Sequence, residues 1–131
     1  MDKIIYSLKK NKLKNYSALF VKINTEQFDF DNKEMDDLIN EYKKYIIDNK
    51  DIRIIIDARM ISSVNRKMVW ENIHKIHFST DINKNIKCQS IILNNKLFKN
   101  LVNTITKIHP FLVKTAIVND NSSAIKFIES C

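Results

Sequence analysis

Glycine is absent from all 131 positions, although average usage of about 7% would supply roughly nine. Phosphate-cradling loops, dinucleotide-binding turns and nucleophile elbows all need glycine, because the backbone there takes a positive φ or closely approaches a phosphate. The common nucleotide-dependent chemistries are therefore set aside. There is one proline, Pro110, and no linker, repeat or heptad array, so organisation has to come from hydrophobic periodicity.

Residues 3–8 and 18–23 are short runs rich in β-branched and aromatic side chains, and the polar stretch 9–15 between them reads as a hairpin connection. From Asp31 the period changes. Met35, Leu38, Ile39, Tyr42, Tyr45 and Ile46 share one helical face, and Asp31 with Glu34 resembles a capping box with Asp in place of Ser or Thr. Residues 52–58 form an apolar run of the kind buried on both faces of a parallel sheet. A second helix is expected after Asn65 as its cap, with Val69, Ile73 and Ile76 or His77 inward. Residues 87–93 read as extended, followed by Leu97, Leu101, Ile105 and Ile108 at helical spacing up to Pro110. Residues 112–118 read as extended and 122–130 as helical, with Ile125 and Ile128 inward and Asp120 or Asn121 as cap.

The order ββαβαβαβα predicts one α/β domain over residues 1–131. Its mixed sheet has an antiparallel hairpin at the start and parallel inner strands covered by helices. Ile54, Ile55, Ile56, Ile91, Ile92, Ile117 and Val118 are its expected sheet core. The length and the 44% hydrophobic fraction suit one core. No apolar run approaches the roughly 18 residues that span a bilayer, and the start lacks the apolar core and cleavage site of a signal peptide. A cytoplasmic location follows, and with it the expectation that Cys88 and Cys131, which lack metal-ligand spacing, are free thiols.

Phe28-Asp29-Phe30-Asp31 leading into the first helix, then Ile54-Ile55-Ile56-Asp57-Ala58-Arg59-Met60-Ile61-Ser62-Ser63-Val64-Asn65 leading into the second, resemble the STAS family. This is the domain of bacterial anti-sigma-factor antagonists and sulfate-transporter tails, with a related STAS/SEC14-like group. The closing Ser123-Ala124-Ile125-Lys126-Phe127-Ile128 is similar to that group's last amphipathic helix. The resemblance implies a STAS-like domain that binds protein partners and carries no cofactor. Where antagonists have Asp-Ser-Ser-Gly with a phosphorylated serine, this chain has Asn65-Arg66-Lys67-Met68. With no hydroxyl at either acceptor position, a phosphorylation switch there is not expected.

The formal charge is +7, but lysine, asparagine and isoleucine are all abundant, as an AT-rich genome would produce. Distribution says more: residues 1–24 carry +5, residues 26–51 carry −5 and residues 52–131 carry +7. Arg66 and Lys67 fall in the first turn of the second helix, where the macrodipole disfavours cations. With Asn65 they form the expected partner-binding site, set against the plainer reading of a solvated pair. Lys9, Lys10, Lys12 and Lys14 beside Tyr16 form a basic hairpin loop that could lie on a nucleic-acid backbone or an anionic membrane. The plainer reading is again a solvated loop.

His74 and His77 lie one turn apart, with His109 elsewhere, but a zinc site wants three or four ligands with supporting carboxylates. Structural histidines are expected, and no metal. Asp57, at the carboxyl end of the central strand, sits where open α/β sheets place ligands, and Asp120 is a candidate second carboxylate. Capping of loop amides is the plainer role. The expectation is a non-catalytic module that docks a protein partner or itself through charged surfaces. Nucleic-acid binding through the hairpin loop and C-terminal half is the alternative, and SEC14-like binding of a small molecule or lipid the second alternative.

Overall fold

The computed structural model describes residues 2–77, 83–108 and 110–131, without the side chains of 73–77. Five strands, β1 (Ile4–Asn11), β2 (Tyr16–Ile23), β4 (Ile52–Asp57), β6 (Ile86–Ile92) and β7 (Thr115–Val118), form one sheet in the order β1-β2-β4-β6-β7. β1 and β2 pair antiparallel, and every other neighbour pairs parallel. A two-residue ladder joins β3 (Gln27–Phe28) to β5 (Ser63–Val64). Among the described residues the helices with defined bounds are α1 (Asn32–Ile47), α2 (Arg66–His77), α3 (Lys96–Ile108) and α4 (Asn121–Glu129). This is the predicted mixed α/β sheet, with the small ladder added.

Helix starts follow their local chemistry. Asp31 accepts from the Glu34 amide at 2.8 Å while the Glu34 carboxylate accepts from the Asp31 amide, so the capping box closes with Asp in the hydroxyl position. Asn65, Asn95 and Asp120 each accept from the amide three residues on, capping α2, α3 and α4. Without glycine, the two positive-φ positions among the described residues fall to Asn15 in the hairpin turn and Asp51 before β4. These are the residue types that best tolerate the left-handed region.

The parallel register decides which side chains share a face. Leu19, Ile54, Gln89 and Thr115 form one cross-strand row, and Val21, Ile56, Ile91 and Ile117 the next. These rows face the α1 side. The opposite face, with Ala18, Ile55 and Cys88, packs on Ala124 and Ile128 of α4. There Ser90 donates to the Ala124 carbonyl at 3.0 Å. Met35, Ile39 and Ile46 of α1 are buried, on the face read from the sequence.

Several expectations need correction. Cys88 and Cys131 are joined by a disulfide and are not free thiols: β6 turns Cys88 toward α4, and the end of α4 returns Cys131 to the same place. Lys9 and Lys10 belong to β1, leaving 12–15 as the turn. β7 begins at Thr115, with Leu112 exposed before it. In α3 the inward face is Leu101 and Ile105 with Phe98 and Val102 beside them, and Leu97 and Ile108 are exposed. Of the expected sheet core, Ile54, Ile55 and Ile92 are buried, and Ile56, Ile91, Ile117 and Val118 only partly. In α2, Met68 and Asn72 are buried and Val69 half-buried. The inward placement of Ile73, Ile76 or His77 lies outside the described residues.

Candidate functional site

The starts of α1 and α2 are brought side by side by the β3–β5 ladder. Ser62 and Ser63 donate backbone amides to the Glu26 carbonyl, and Asn65 donates its amide to the Phe28 carbonyl at 3.0 Å. The Asn65 side chain then works in two directions. Its Oδ1 accepts from the Met68 amide at 3.1 Å, and its Nδ2 donates to Asp29 Oδ1 at 2.8 Å. Asn65, Arg66 and Lys67 are all exposed.

A polar groove runs between the two helix starts, lined among others by Asp29, Asp31, Glu34, Asn65, Lys67 and Glu71. Lys67 Nζ stands 3.9 Å from Glu71, with both side chains largely in water. Arg66 has no ion-pair partner among the described residues. The Lys3 ammonium, 2.9 Å away, and then the Asp31 amide hold the Glu34 carboxyl below its usual range. An acidic helix start therefore lies directly beside a basic one.

At the carboxyl edge of the sheet, Arg59 closes on Asp57 with Nε to Oδ1 at 3.0 Å and a terminal nitrogen to Oδ2 at 2.8 Å. The Arg59 backbone amide adds a third bond to Oδ1. The guanidinium holds the Asp57 carboxyl below the usual carboxylate range. Asp120 is held low by the Ser123 amide it caps and, more weakly, by Arg59. Both stay ionised near neutral pH and neither is poised for proton transfer. The capping reading of both residues is the one these contacts support.

Two of the four hairpin lysines have side-chain partners. Lys9 lies over the Phe20 ring at 5.3 Å, and Lys14 pairs with Glu129 at 3.2 Å. Lys10 and Lys12 remain exposed near the turn, whose Leu13 is 99% exposed. His74, His77 and His109, weighed as metal ligands, lie outside the described side chains. Among the described residues, no three His, Cys, Asp or Glu could hold a metal ion together.

Periodicity gave no sign of a cavity of about 220 Å³ on the α1 side of the sheet. Its floor takes Val21, Ile56, Ile91 and Gln89 from the two cross-strand rows, and its roof includes Met35, Leu38, Ile39 and Tyr42 of α1. Ile86, Leu112 and Val113 close the end at the amino termini of β6 and β7. Gln89 Nε2 donates to Thr115 Oγ1 at 2.9 Å, which donates on to the Val113 carbonyl. The Tyr6 hydroxyl donates to the Leu38 carbonyl, and burial raises the Tyr6 and Tyr42 phenols so that both stay protonated. One sequence hint was Gln89, which with Ser90 places polar side chains at buried positions of β6. At roughly 24 cal/mol per Å³, leaving such a volume without packing partners costs on the order of 5 kcal/mol.

Among the described residues no helix is long and apolar enough to cross a membrane. No protein-family model matches the sequence, and no curated protein does. The fold does match a solved structure: an uncharacterized protein from the DUF3478 family with a SpoIIAA-like fold, from Shewanella loihica PV-4. The two share 13% sequence identity at a TM-score of 0.62, over 98% of this chain and 95% of that one. The chain thus has a SpoIIAA-like α/β fold, the architecture its STAS resemblance implies.

Proposed function

We propose that this chain is a single-domain, non-catalytic binding module that docks a protein partner, or a second copy of itself, through the paired starts of α1 and α2. One observation carries the reading: Arg66 and Lys67 are exposed in the first turn of α2, and Arg66 has no ion-pair partner among the described residues. A helix N-terminus disfavours cations by a few tenths to about 1 kcal/mol, and an acidic partner offsets that cost. The acidic start of α1 beside it makes the face self-complementary, since a two-fold axis would set the basic start of each copy on the acidic start of the other. Complementary fields of this kind raise the association rate more than the affinity.

The test is the double charge reversal Arg66→Glu with Lys67→Glu, followed by co-purification and by sedimentation at low and moderate salt. Both positions are exposed, so the fold should change by only about 0.5 kcal/mol per substitution. Loss of the partner, or of the heavier species, is expected. Unchanged recovery and mass in a folded variant, or recovery of nucleic acid in place of protein, would overturn the reading.

A further inference from the structure

We propose that the open edge of β1 is a self-association surface, on which a second copy of the chain lays its own β1 antiparallel about a two-fold axis through Ser7. The two sheets then become one. This surface is separate from the helix starts of the docking reading, and the closing experiment tells the two apart.

The hairpin ladder decides which backbone groups are free. Asn24 donates its amide to the carbonyl of Lys3, the residue opposite it. Bonded and non-bonded pairs alternate along an antiparallel ladder, so Ile5, Ser7 and Lys9 bond β2 while Ile4, Tyr6, Leu8 and Lys10 turn their amides and carbonyls outward. β1 ends the sheet, and among the described residues no other strand pairs with that side. Such a row of unpaired groups is a template for another strand. Centring the pair on Ser7 sets Ile4 against Lys10 of the second copy and Tyr6 against its Leu8, and the two-fold repeats both, so every outward residue is used.

The side chains select a second copy as the occupant. Ile4, Tyr6, Leu8 and Lys10 stand on the α1 side of the sheet, where the Tyr6 hydroxyl reaches the Leu38 carbonyl. Asp2, Glu34, Asp37 and Glu41 line the groove between this edge and α1, with Lys3 alone opposing them among the described residues. Pairing brings Lys10 of the second copy to Ile4, at the mouth of that groove, where its charge complements the acidic excess. Exposed Leu8 gains Tyr6 of the other copy, and exposed Ile5 gains the aliphatic stem of its Lys9. Edge lysines often block strand pairing, but in this register neither Lys9 nor Lys10 lies opposite another lysine.

The full chain is followed by sedimentation and by amide hydrogen exchange over a concentration series. A species of twice the chain mass is expected, with the Ile4, Tyr6, Leu8 and Lys10 amides slowing as it forms while those of Ser7 and Lys9 change little. Leu8→Pro removes one outward amide at an edge position where proline is tolerated, and should leave a folded monomer. Should that variant fail to fold, Lys10→Glu should weaken association by roughly tenfold or more, and adding Asp37→Lys should restore it. Arg66→Glu with Lys67→Glu should leave the exchange pattern unchanged. A chain monomeric at every concentration, or undiminished association in Lys10→Glu, would overturn the proposal. A dimer that is lost on the Arg66 and Lys67 reversal, with the four outward amides fast throughout, would overturn it and leave the docking reading standing.

Discussion

The Asn65 carboxamide donates to the Asp29 carboxylate at 2.8 Å, across 36 positions of sequence. The same side chain caps α2 through its oxygen, so one residue fixes both the start of α2 and its distance from the start of α1. Asn65→Ala removes both bonds and should cost about 1 to 2 kcal/mol in denaturant unfolding. Asn65→Asp keeps an acceptor for the cap but sets a carboxylate against Asp29. That variant should be weakened at pH 7 and recover relative to wild type as the pH falls and one carboxylate protonates. Equal loss at both pH values would contradict the role of Asp29.

Asp57 gives a prediction of the opposite sign. Its folded carboxyl is held below the ordinary value of 3.8, chiefly by Arg59. A depressed carboxylate contributes stability that is present above the unfolded value and is lost as the pH falls through the folded one. Arg59→Ala should therefore flatten the acid limb of stability below about pH 4, and Asp57 should titrate upward toward its ordinary value by NMR. An Asp57 titration unmoved in Arg59→Ala would show that the ion pair does not set it.

Much of the fold was legible because the deciding interactions are local. The caps at Asp31, Asn65 and Asp120 involve residues three apart, and the α1 stripe from Met35 to Ile46 repeats with the helical period. What was missed depends on register between distant segments. Cys88 and Cys131 meet only because β6 and α4 share a face, and the cavity arises because α1 stands over rows drawn from four strands. Phe28 and Val64 form their short ladder over 36 positions, beyond any periodicity window. Arg53, an apparent interruption of the central strand, stacks on Tyr16 at 4.1 Å and donates to the Ile128 carbonyl at the end of α4. No spacing rule links those three positions. The exposed helix start at Asn65, Arg66 and Lys67 was legible from its cap, whereas the acidic groove beside it needed the tertiary structure.

The Cys88–Cys131 bond closes a loop of sequence separation 43, for which the chain-entropy relation gives up to about 4 kcal/mol. Reductant should lower the melting temperature of the wild type. Cys131→Ser should lower it similarly and make it insensitive to reductant. A wild type whose melting temperature ignores reductant would show that the bond does not stabilise the chain.

Docking through the start of α2 is tested most directly by photo-crosslinking from a photoreactive residue at position 66, compared with one at exposed position 126 on α4. Both are introduced singly into the full chain in its native source. Position 66 should give one discrete adduct, either a dimer of this chain or a one-to-one complex with a single protein, which fades as salt rises, and position 126 should not. Equal adducts from both positions, or none from position 66 while the complex persists, would contradict the account.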